Sequence, residues 1–338
     1  MTDSYQPPYT ITTEILNQVA AISQAIGRLT LLTEQSKALR LRRVNRVRTI
    51  HGSLAIEGNT LSESQITAML DGKRVIAPPR EVQEVKNALA AYDHFNSWRP
   101  STEKDLLEAH RLLMAGLIDE VGKYRRGGVG VMAGQDVIHV APPADRVPRL
   151  MADLFGWLSK TDAHPLIASA VFHYEFEFIH PFADGNGRMG RLWQSLILAS
   201  WNPLFGDIPV ESLVYEHQAE YYTALRTSTA RTDSAPFITF MLRMILGAMT
   251  SATPQVTPQV TPQVAKLLAA LKGPMSSSEL QAKLGLSDRK SFRVRYLNPG
   301  LADALVDMTI PDKPSSRLQK YVLTDKARTW LAQLKSEG

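Results

Sequence analysis

The chain has 338 residues, of which 38 are Lys or Arg, 33 are Asp or Glu, and 44% are hydrophobic. This length and balance predict about two or three globular domains and exclude wholesale disorder. Cys is absent from the sequence, which excludes disulfides, thiolate nucleophiles and zinc sites with Cys ligands. The first residues are too polar for a signal peptide, and the apolar segment 237–250 is too short to span a bilayer. We therefore expect a cytoplasmic protein with no membrane partner.

Most of the first two-thirds of the chain has apolar residues at helical spacing. The predicted helices cover residues 15–32, 34–50, 80–98, 102–117, 146–158 and 165–178. The segment 122–143 differs, because it combines glycine-rich turns with an alternating run at 137–140. That pattern predicts a β-hairpin between helices.

A tandem repeat separates this part from the rest of the chain. The sequence TPQV occurs three times over residues 253–264, and proline at every fourth position favours an extended, semi-stiff linker. A proline-rich ligand for another protein is the alternative interpretation. We divide the chain into an N-terminal helical region 1–100, a core 101–249, a linker 250–263 and a C-terminal domain 264–338.

The C-terminal domain holds 13 basic and 7 acidic residues. Three short predicted helices are followed by two strands around a Pro/Ser-rich tip at 311–316, which is typical of a winged helix-turn-helix. The third helix carries four basic residues: Arg289, Lys290, Arg293 and Arg295. Duplex DNA is therefore a candidate partner, and protein docking or dimerisation is the alternative.

One segment, residues 180–191, interrupts the helical pattern and has the composition of an anion-binding loop. Pro181 ends the preceding helix, while Gly185 and Gly187 allow positive φ or a close approach by a ligand. A predicted helix, 188–201, follows at once. A glycine-containing loop at a helix N-terminus presents N–H donors and the positive end of the helix dipole to an anion.

The polar side chains of this segment suit phosphate chemistry. Arg188 and Arg191 are three residues apart, so both project from one face of the first turn toward phosphate oxygens. Asp184 offers the oxygen ligand that Mg²⁺ uses beside phosphates. His180 is the residue here that exchanges a proton near neutral pH. Together these residues predict phosphoryl or nucleotidyl transfer.

The same segment, HPFADGNGRMGR, resembles the Fic family motif H-P-F-x-D/E-G-N-G-R-x-x-R and matches it at every fixed position. The resemblance extends from about Gly127 to Met249. It implies a mainly α fold: a Fic-type helical core with a β-hairpin flap, followed here by the small winged domain. It also implies protein adenylylation, in which AMP moves from ATP to a Ser, Thr or Tyr hydroxyl of a target protein, the enzyme itself included.

The resemblance assigns a role to each residue of the motif. His180 would be the general base, and Asp184 would hold Mg²⁺ or Mn²⁺ on the α- and β-phosphates. Asn186 and the loop N–H groups would stabilise charge at the α-phosphate. The residues implied to bind the nucleotide are Gly185, Asn186, Gly187, Arg188, Arg191 and Tyr222. Tyr222 would lie near adenine, with helix packing as its alternative role.

The resemblance also implies that the hairpin is a flap that pairs with an extended segment of the target. The residues expected to form it are Val129, Gly130, Val131, Val137, Ile138 and His139. An ordinary surface loop is the alternative. Because Gly185 and Gly187 are both present, adenylyl transfer is favoured over the phosphate transfer of a kinase-like branch that has Ala and Lys there. Phosphocholine transfer stays open.

Residues Ser53, Glu57 and Gly58 fit the family's inhibitory motif, S/T-x-x-x-E-G/N. The resemblance implies that Glu57 pairs with Arg191 and so occupies a partner of the γ-phosphate. We therefore predict that Glu57→Gly raises adenylylation. An exposed surface turn is the alternative, and removal of AMP from targets is a further activity open to the same glutamate.

Two other functions compete with the autoinhibited transferase. The first is a DNA-binding regulator whose Fic core senses nucleotide, against which the intact base His180 counts. The second is the toxin of a toxin–antitoxin pair, against which an inhibitory motif in the same chain counts. The family resemblance also implies a homodimer.

Overall fold

The chain divides into two compact units, Met1–Thr253 and Pro254–Gly338. The computed structural model describes residues 5–32, 35–128, 130–133, 136–252, 262–286, 288–303, 305–310, 316–325, 327–328 and 331. Each unit has its own cluster of buried apolar side chains. Residues 253–261, which hold most of the TPQV repeat, lie outside the described residues.

The first unit is mainly helical. Its helices are α1 (Thr13–Leu32), α2 (Gln35–Ile56), α3 (Glu63–Leu70), α4 (Pro79–His94), α5 (Glu103–Leu113), α6 (Val147–Leu158), α7 (Pro165–Ile179), α8 (Asn186–Trp201), α9 (Val210–Glu216), α10 (Gln218–Arg231) and α11 (Ala235–Ala252). Short 3₁₀ turns occur at Phe95–Ser97, Ala144–Arg146 and Pro203–Asp207. Among the helices of the described residues in both units, none is long and apolar enough to cross a membrane.

Helix α7 forms the centre of this unit. Every residue from Leu166 to Glu177 is buried, and α7 packs against α6, α8 and α11. A helix that is buried on all faces forms part of a core, and the few polar residues of α7 are buried with it. The helix begins at Pro165, where proline's missing N–H costs nothing, and ends before His180, whose backbone is left-handed. Packing in the core therefore fixes the position of the C-terminal end of α7.

Helix α2 continues six residues beyond its predicted end at residue 50, which places the Ser53 motif in its last turn. Gly52 lies inside this helix, and a Cβ at this position would collide with the backbone of Glu211 in α9. Close packing of α2 on α9 requires a glycine here, so tertiary contact overrides its poor helix propensity.

The segment predicted to be a hairpin contains two antiparallel strands, β1 (Gly130–Ala133) and β2 (Asp136–Val140). Gly130 pairs with Val140 at the open end, and the register shifts by a bulge between Val131 and Met132. Strand β2 lies against α10. The flap residue Val129 lies outside the described residues.

The second unit contains short helices and a small sheet. Its elements are α12 (Pro262–Ala270), α13 (Ser277–Lys283), α14 (Arg289–Phe292), a π-helical turn (Arg293–Leu297), α15 (Asn298–Ala302), β3 (Val306–Met308) and β4 (Tyr321–Leu323). Strands β3 and β4 are antiparallel, and a bridge from Met275 to Tyr321 adds a third edge. Leu267, Leu280 and Phe292 are fully buried at its centre. The predicted tip at 311–315 lies outside the described residues.

Candidate active site

The loop between α7 and α8 is shaped by glycine. Gly185, the N-cap of α8, has φ 85°, a left-handed conformation that favours glycine. A Cβ on Gly185 would also lie 2.6 Å from Sδ of Met114. At Gly187 a Cβ would collide with Oε1 of Glu57. The first turn of α8 therefore accepts a carboxylate at close range.

Asn186 is occupied by the backbone of its own loop. Its Oδ1 accepts from the Phe182 N–H at 2.8 Å, and its Nδ2 donates to the Phe182 carbonyl at 2.9 Å. The family resemblance assigns this side chain to the α-phosphate, and that role stays a prediction. In the structure the buried amide binds the backbone of Phe182 through both its polar atoms, so Asn186 shapes the anion-binding loop.

Two arginine side chains are buried next to this loop. Arg188 is 4% exposed and Arg191 is 2% exposed. Within the described residues, Nε and Nη1 of Arg188 and Nη1 of Arg191 have no hydrogen-bond acceptor. Nη1 of Arg188 does lie 3.5 Å from Oε1 of Glu84, an ion-pair contact. Buried N–H groups without a hydrogen-bond acceptor are costly, so these atoms fit the oxygens of a phosphate ligand.

Asp184 is half-exposed and surrounded by donors. Its Oδ1 accepts from the Gly185 N–H at 2.6 Å and from Nη2 of Arg188 at 3.2 Å, while Oδ2 accepts from Nη2 of Arg80 at 3.3 Å. Among the described side chains, no cluster of three or more His, Asp or Glu could hold a metal alone. Mg²⁺ commonly uses one or two carboxylates together with substrate phosphates. A single carboxylate beside the two arginines fits an ion that arrives with a nucleotide.

His180 follows α7 with φ 51° and ψ 61°. This left-handed backbone is uncommon for a residue other than glycine and costs about 1–2 kcal/mol. Its side chain is 18% exposed, and Nδ1 lies 3.9 Å from Oε2 of Glu177. The imidazole therefore sits at the surface of the site, with one ring nitrogen turned toward a buried carboxyl.

A buried polar layer lies below His180, and no sequence pattern predicted it. His173 contacts Oε1 of Gln194 and the hydroxyl of Tyr221, which is 3.1 Å from Nε2. Burial raises the pKa of Glu177 to about 8, and the nearby Arg191 partly opposes the shift. Gly190 leaves room for this layer, because a Cβ there would press on His173 and Glu177. Tyr221 is thus a core residue.

Tyr222 is only half-buried. Burial raises its pKa, and the nearby Glu57 carboxylate raises it further. The structure therefore places Tyr222 close to the predicted inhibitory glutamate.

Glu57 makes the closest ion pair of the site. Its Oε1 lies 2.6 Å from Nη2 of Arg191. Arg191 also donates from Nε to Oγ of Ser53 at 3.2 Å and from Nη2 to the Ser53 carbonyl at 2.9 Å. Gly58, with φ 91°, turns the chain out of α2 directly after Glu57. The end of α2 therefore holds one of the two arginines that face the loop.

Two further buried residues fix the loop, and neither was predicted. His110 on α5 stacks on Phe182 with ring centroids 3.7 Å apart, and its Nδ1 accepts from the Gly122 N–H at 2.9 Å. Its Nε2 consequently carries the hydrogen and donates to the Asp184 carbonyl at 3.0 Å. Arg125 donates to several backbone carbonyls around His180. A lone His or Arg in a helical or loop pattern carries no sequence signal for such a contact.

Fold and site together define a helical core that carries two buried arginines, a carboxylate and a histidine at the junction of a buried helix and a glycine loop. Comparisons with known proteins place that core in a family. Residues 100–198 match the model of the Fic/DOC family. Residues 262–324 match the model of the Filamentation induced by cAMP protein Fic-like, C-terminal domain.

A crystal structure of a Fic family protein from Desulfovibrio desulfuricans is 55% identical, with a TM-score of 0.73, and the match covers 95% of this chain and 99% of that one. The present chain belongs to the Fic family. A structure of Fic-1 from Caenorhabditis elegans is 26% identical, with a TM-score of 0.61, over 70% of this chain and 71% of that one.

The protein adenylyltransferase Fic of Culex quinquefasciatus is 31% identical over 207 residues, which are 58% of this chain and 39% of that protein. The chain thus spans about two fifths of the length of the first curated relatives that it matches.

Proposed function

We propose that this protein is an autoinhibited protein adenylyltransferase, which transfers AMP from ATP to a hydroxyl group of a target protein and releases pyrophosphate. The observation that carries the proposal is the set of buried N–H groups on Arg188 and Arg191 without acceptors, next to Asp184 and His180. The name of the Culex relative supports the same reaction.

In the proposed reaction, the target hydroxyl oxygen attacks the α-phosphorus of ATP. A new P–O bond forms as the bond from the α-phosphorus to the oxygen bridging to the β-phosphate breaks. The hydroxyl proton goes to the imidazole of His180. Arg188, Arg191 and the N-terminus of α8 bind the phosphates that leave as pyrophosphate. A Mg²⁺ or Mn²⁺ ion held by Asp184 would neutralise charge on that leaving group.

The proposed inhibition is a competition for donors. Glu57 lies over Gly187 and pairs with Arg191. Its carboxylate therefore fills the space, and neutralises the positive charge, that the γ-phosphate needs. The carboxylate is 35% exposed while Arg191 is 1% exposed in its side chain. The glutamate can therefore leave toward solvent while the arginine stays in place. A triphosphate misplaced by about 1 Å would lower the rate by about 100-fold.

The proposed target segment pairs with the hairpin. Strands β1 and β2 offer main-chain groups, and an extended peptide could add to their edge. Gly130, Val131, Val137, Ile138 and His139 lie in these strands. Main-chain pairing would accept many sequences, which suits a target defined mostly by its extended shape.

Label transfer tests the proposed function. The full chain with Glu57→Gly is incubated with cell lysate, Mg²⁺ and ATP labelled at either the α- or the γ-phosphate. Adenylyl transfer predicts protein-bound label from the α-position only, and loss of that label in Glu57→Gly with His180→Ala. Label from the γ-position would indicate phosphoryl transfer, and no label from either would overturn the proposal.

A second function is favoured by the C-terminal unit. We propose that its helices and its β3–β4 sheet form a winged helix-turn-helix that contacts duplex DNA. Arg289 lies in α14, Arg293 and Arg295 lie in the π-helical turn that follows, and all three side chains are exposed. Exposed arginines are suited to contacts with the DNA phosphates. Replacing all three with Ala should lower affinity for a fluorescent duplex by about tenfold or more at 50 mM salt. Absence of duplex binding by the unchanged protein at that salt would reject this function.

The homodimer that the family resemblance implies stays a prediction.

A further inference from the structure

The buried side chain of Arg125 joins two parts of the molecule that the proposed reaction must hold together. Arg125 is 4% exposed and precedes the hairpin by five residues. Its guanidinium donates to the carbonyls of His180 at 2.7 Å and Ile179 at 3.3 Å. It also donates to the carbonyls of Gly127 at 2.8 Å and Pro142 at 2.6 Å. One planar group thus contacts the end of α7 and both ends of the hairpin segment.

The contacts at the end of α7 hold His180 in its left-handed conformation. Carbonyls in the last turn of a helix lack intrahelical donors, and the guanidinium supplies two of these. The backbone N–H of Arg125 adds a hydrogen bond of 2.9 Å to the carbonyl of Pro181. Consecutive carbonyls on both sides of the proposed base are therefore fixed by a single residue. Strained backbone at a site persists only where its surroundings determine it in this way.

The contacts to Gly127 and Pro142 fix the base of the hairpin. Gly127 lies three residues before β1, and Pro142 lies two residues after β2. Because both bind the same guanidinium, the position of the hairpin relative to His180 depends on Arg125. Lysine could not replace it, since an ammonium group has three donors around one point and no planar fork. A buried cation is costly, and burial lowers the pKa of Arg125, so a purely space-filling residue would serve packing better.

We propose that Arg125 is a positioning residue that sets the distance between a target hydroxyl paired along the hairpin and the imidazole of His180. This role rests on the proposed adenylyl transfer. The nucleotide loop has separate supports, the pair between Asn186 and Phe182 and the bond from His110 to Asp184. Loss of Arg125 should therefore slow transfer to protein and leave ATP binding intact.

The test compares Arg125→Gln and Arg125→Lys with Arg126→Gln, a matched control at the exposed neighbouring arginine. All are made in the full chain with Glu57→Gly. Transfer from α-labelled ATP to lysate proteins is measured as a function of ATP concentration, and ATP affinity is measured by calorimetry. We expect the maximal rate to fall about 30- to 100-fold in both Arg125 variants, with ATP affinity changed less than about twofold. The control should keep its rate.

Equal rates in the Arg125 variants and the control would overturn the inference, and so would a joint loss of rate and ATP affinity, which indicates general damage to the fold. A parent protein that transfers no label rejects the proposed function instead. Amide hydrogen exchange then still decides the role of Arg125. Arg125→Gln should speed exchange in peptides covering 127–142 and 179–181 but not in 186–201. Unchanged exchange in the first two peptides would contradict the inference.

Discussion

At the scale of single residues, the site depends on backbone shapes that specific glycines permit. Gly185 and Gly187 were predicted to admit a ligand. The structure shows that the space beside Gly187 is taken by the Glu57 carboxylate. Gly58 matters for another reason, because its φ of 91° turns the chain out of α2 directly after Glu57, the residue that pairs with Arg191. A glycine outside the anion loop therefore supports the proposed inhibition.

Gly58→Ala should weaken that inhibition. A Cβ at Gly58 meets no atom within 4 Å, so the cost comes from the positive φ alone. That cost is about 1–2 kcal/mol on the inhibited conformation. We expect the basal adenylylation rate to rise roughly fivefold to thirtyfold, measured with α-labelled ATP.

Gly72→Ala is the matched control. Gly72 has φ 73° at the end of α3 and also has open space around its Cβ position. It should lose similar stability without a gain in rate. A gain of the same size in both variants would show that loosened folding, rather than release of Glu57, causes the effect.

At the scale of elements, α5 and the loop before α8 are joined by a neutral histidine. Burial lowers the pKa of His110 to about 4, against the 6.5 of an exposed imidazole. In the unfolded chain the ring binds a proton below about pH 6.5, while in the folded chain it stays neutral down to about pH 4. The stability linked to this residue is therefore present above pH 6.5 and is lost as the pH falls toward 4.

Between pH 7 and pH 5, His110 should consequently lower the free energy of unfolding by about 2 kcal/mol, against the opposite contribution of Glu177, whose raised pKa stabilises the fold as the pH falls. The measurement is urea unfolding at both pH values. His110→Asn should start less stable at pH 7 and lose about 2 kcal/mol less on acidification. His94→Asn, at an exposed histidine, should behave as the unchanged protein does. If the free energy of unfolding changes equally with pH in His110→Asn and in the unchanged protein, the His110 ring is charged in the folded protein and the prediction is wrong.

At the scale of the whole molecule, sequence and structure contribute different information. The motif 180–191 and the helical periodicity predicted the mainly helical fold and the family. Periodicity could not predict that α2 extends through Gly52 to carry the Ser53 motif, since the reason is contact with α9. Nor could it predict that His110 and Arg125 brace the loop, because their partners are backbone groups distant in the chain. Nor could the motif predict that the Asn186 amide binds the backbone of Phe182 within its own loop.

The ratio of α-label transfer between Glu57→Gly and the unchanged protein, at equal concentration and saturating ATP·Mg²⁺, tests the central claim most directly. The claim is that a carboxylate at the end of α2 holds back a competent transferase by pairing with Arg191. We predict a ratio of about 100 or more, from a triphosphate displaced by about 1 Å or more. A ratio near one, with label transferred by both proteins, would contradict it.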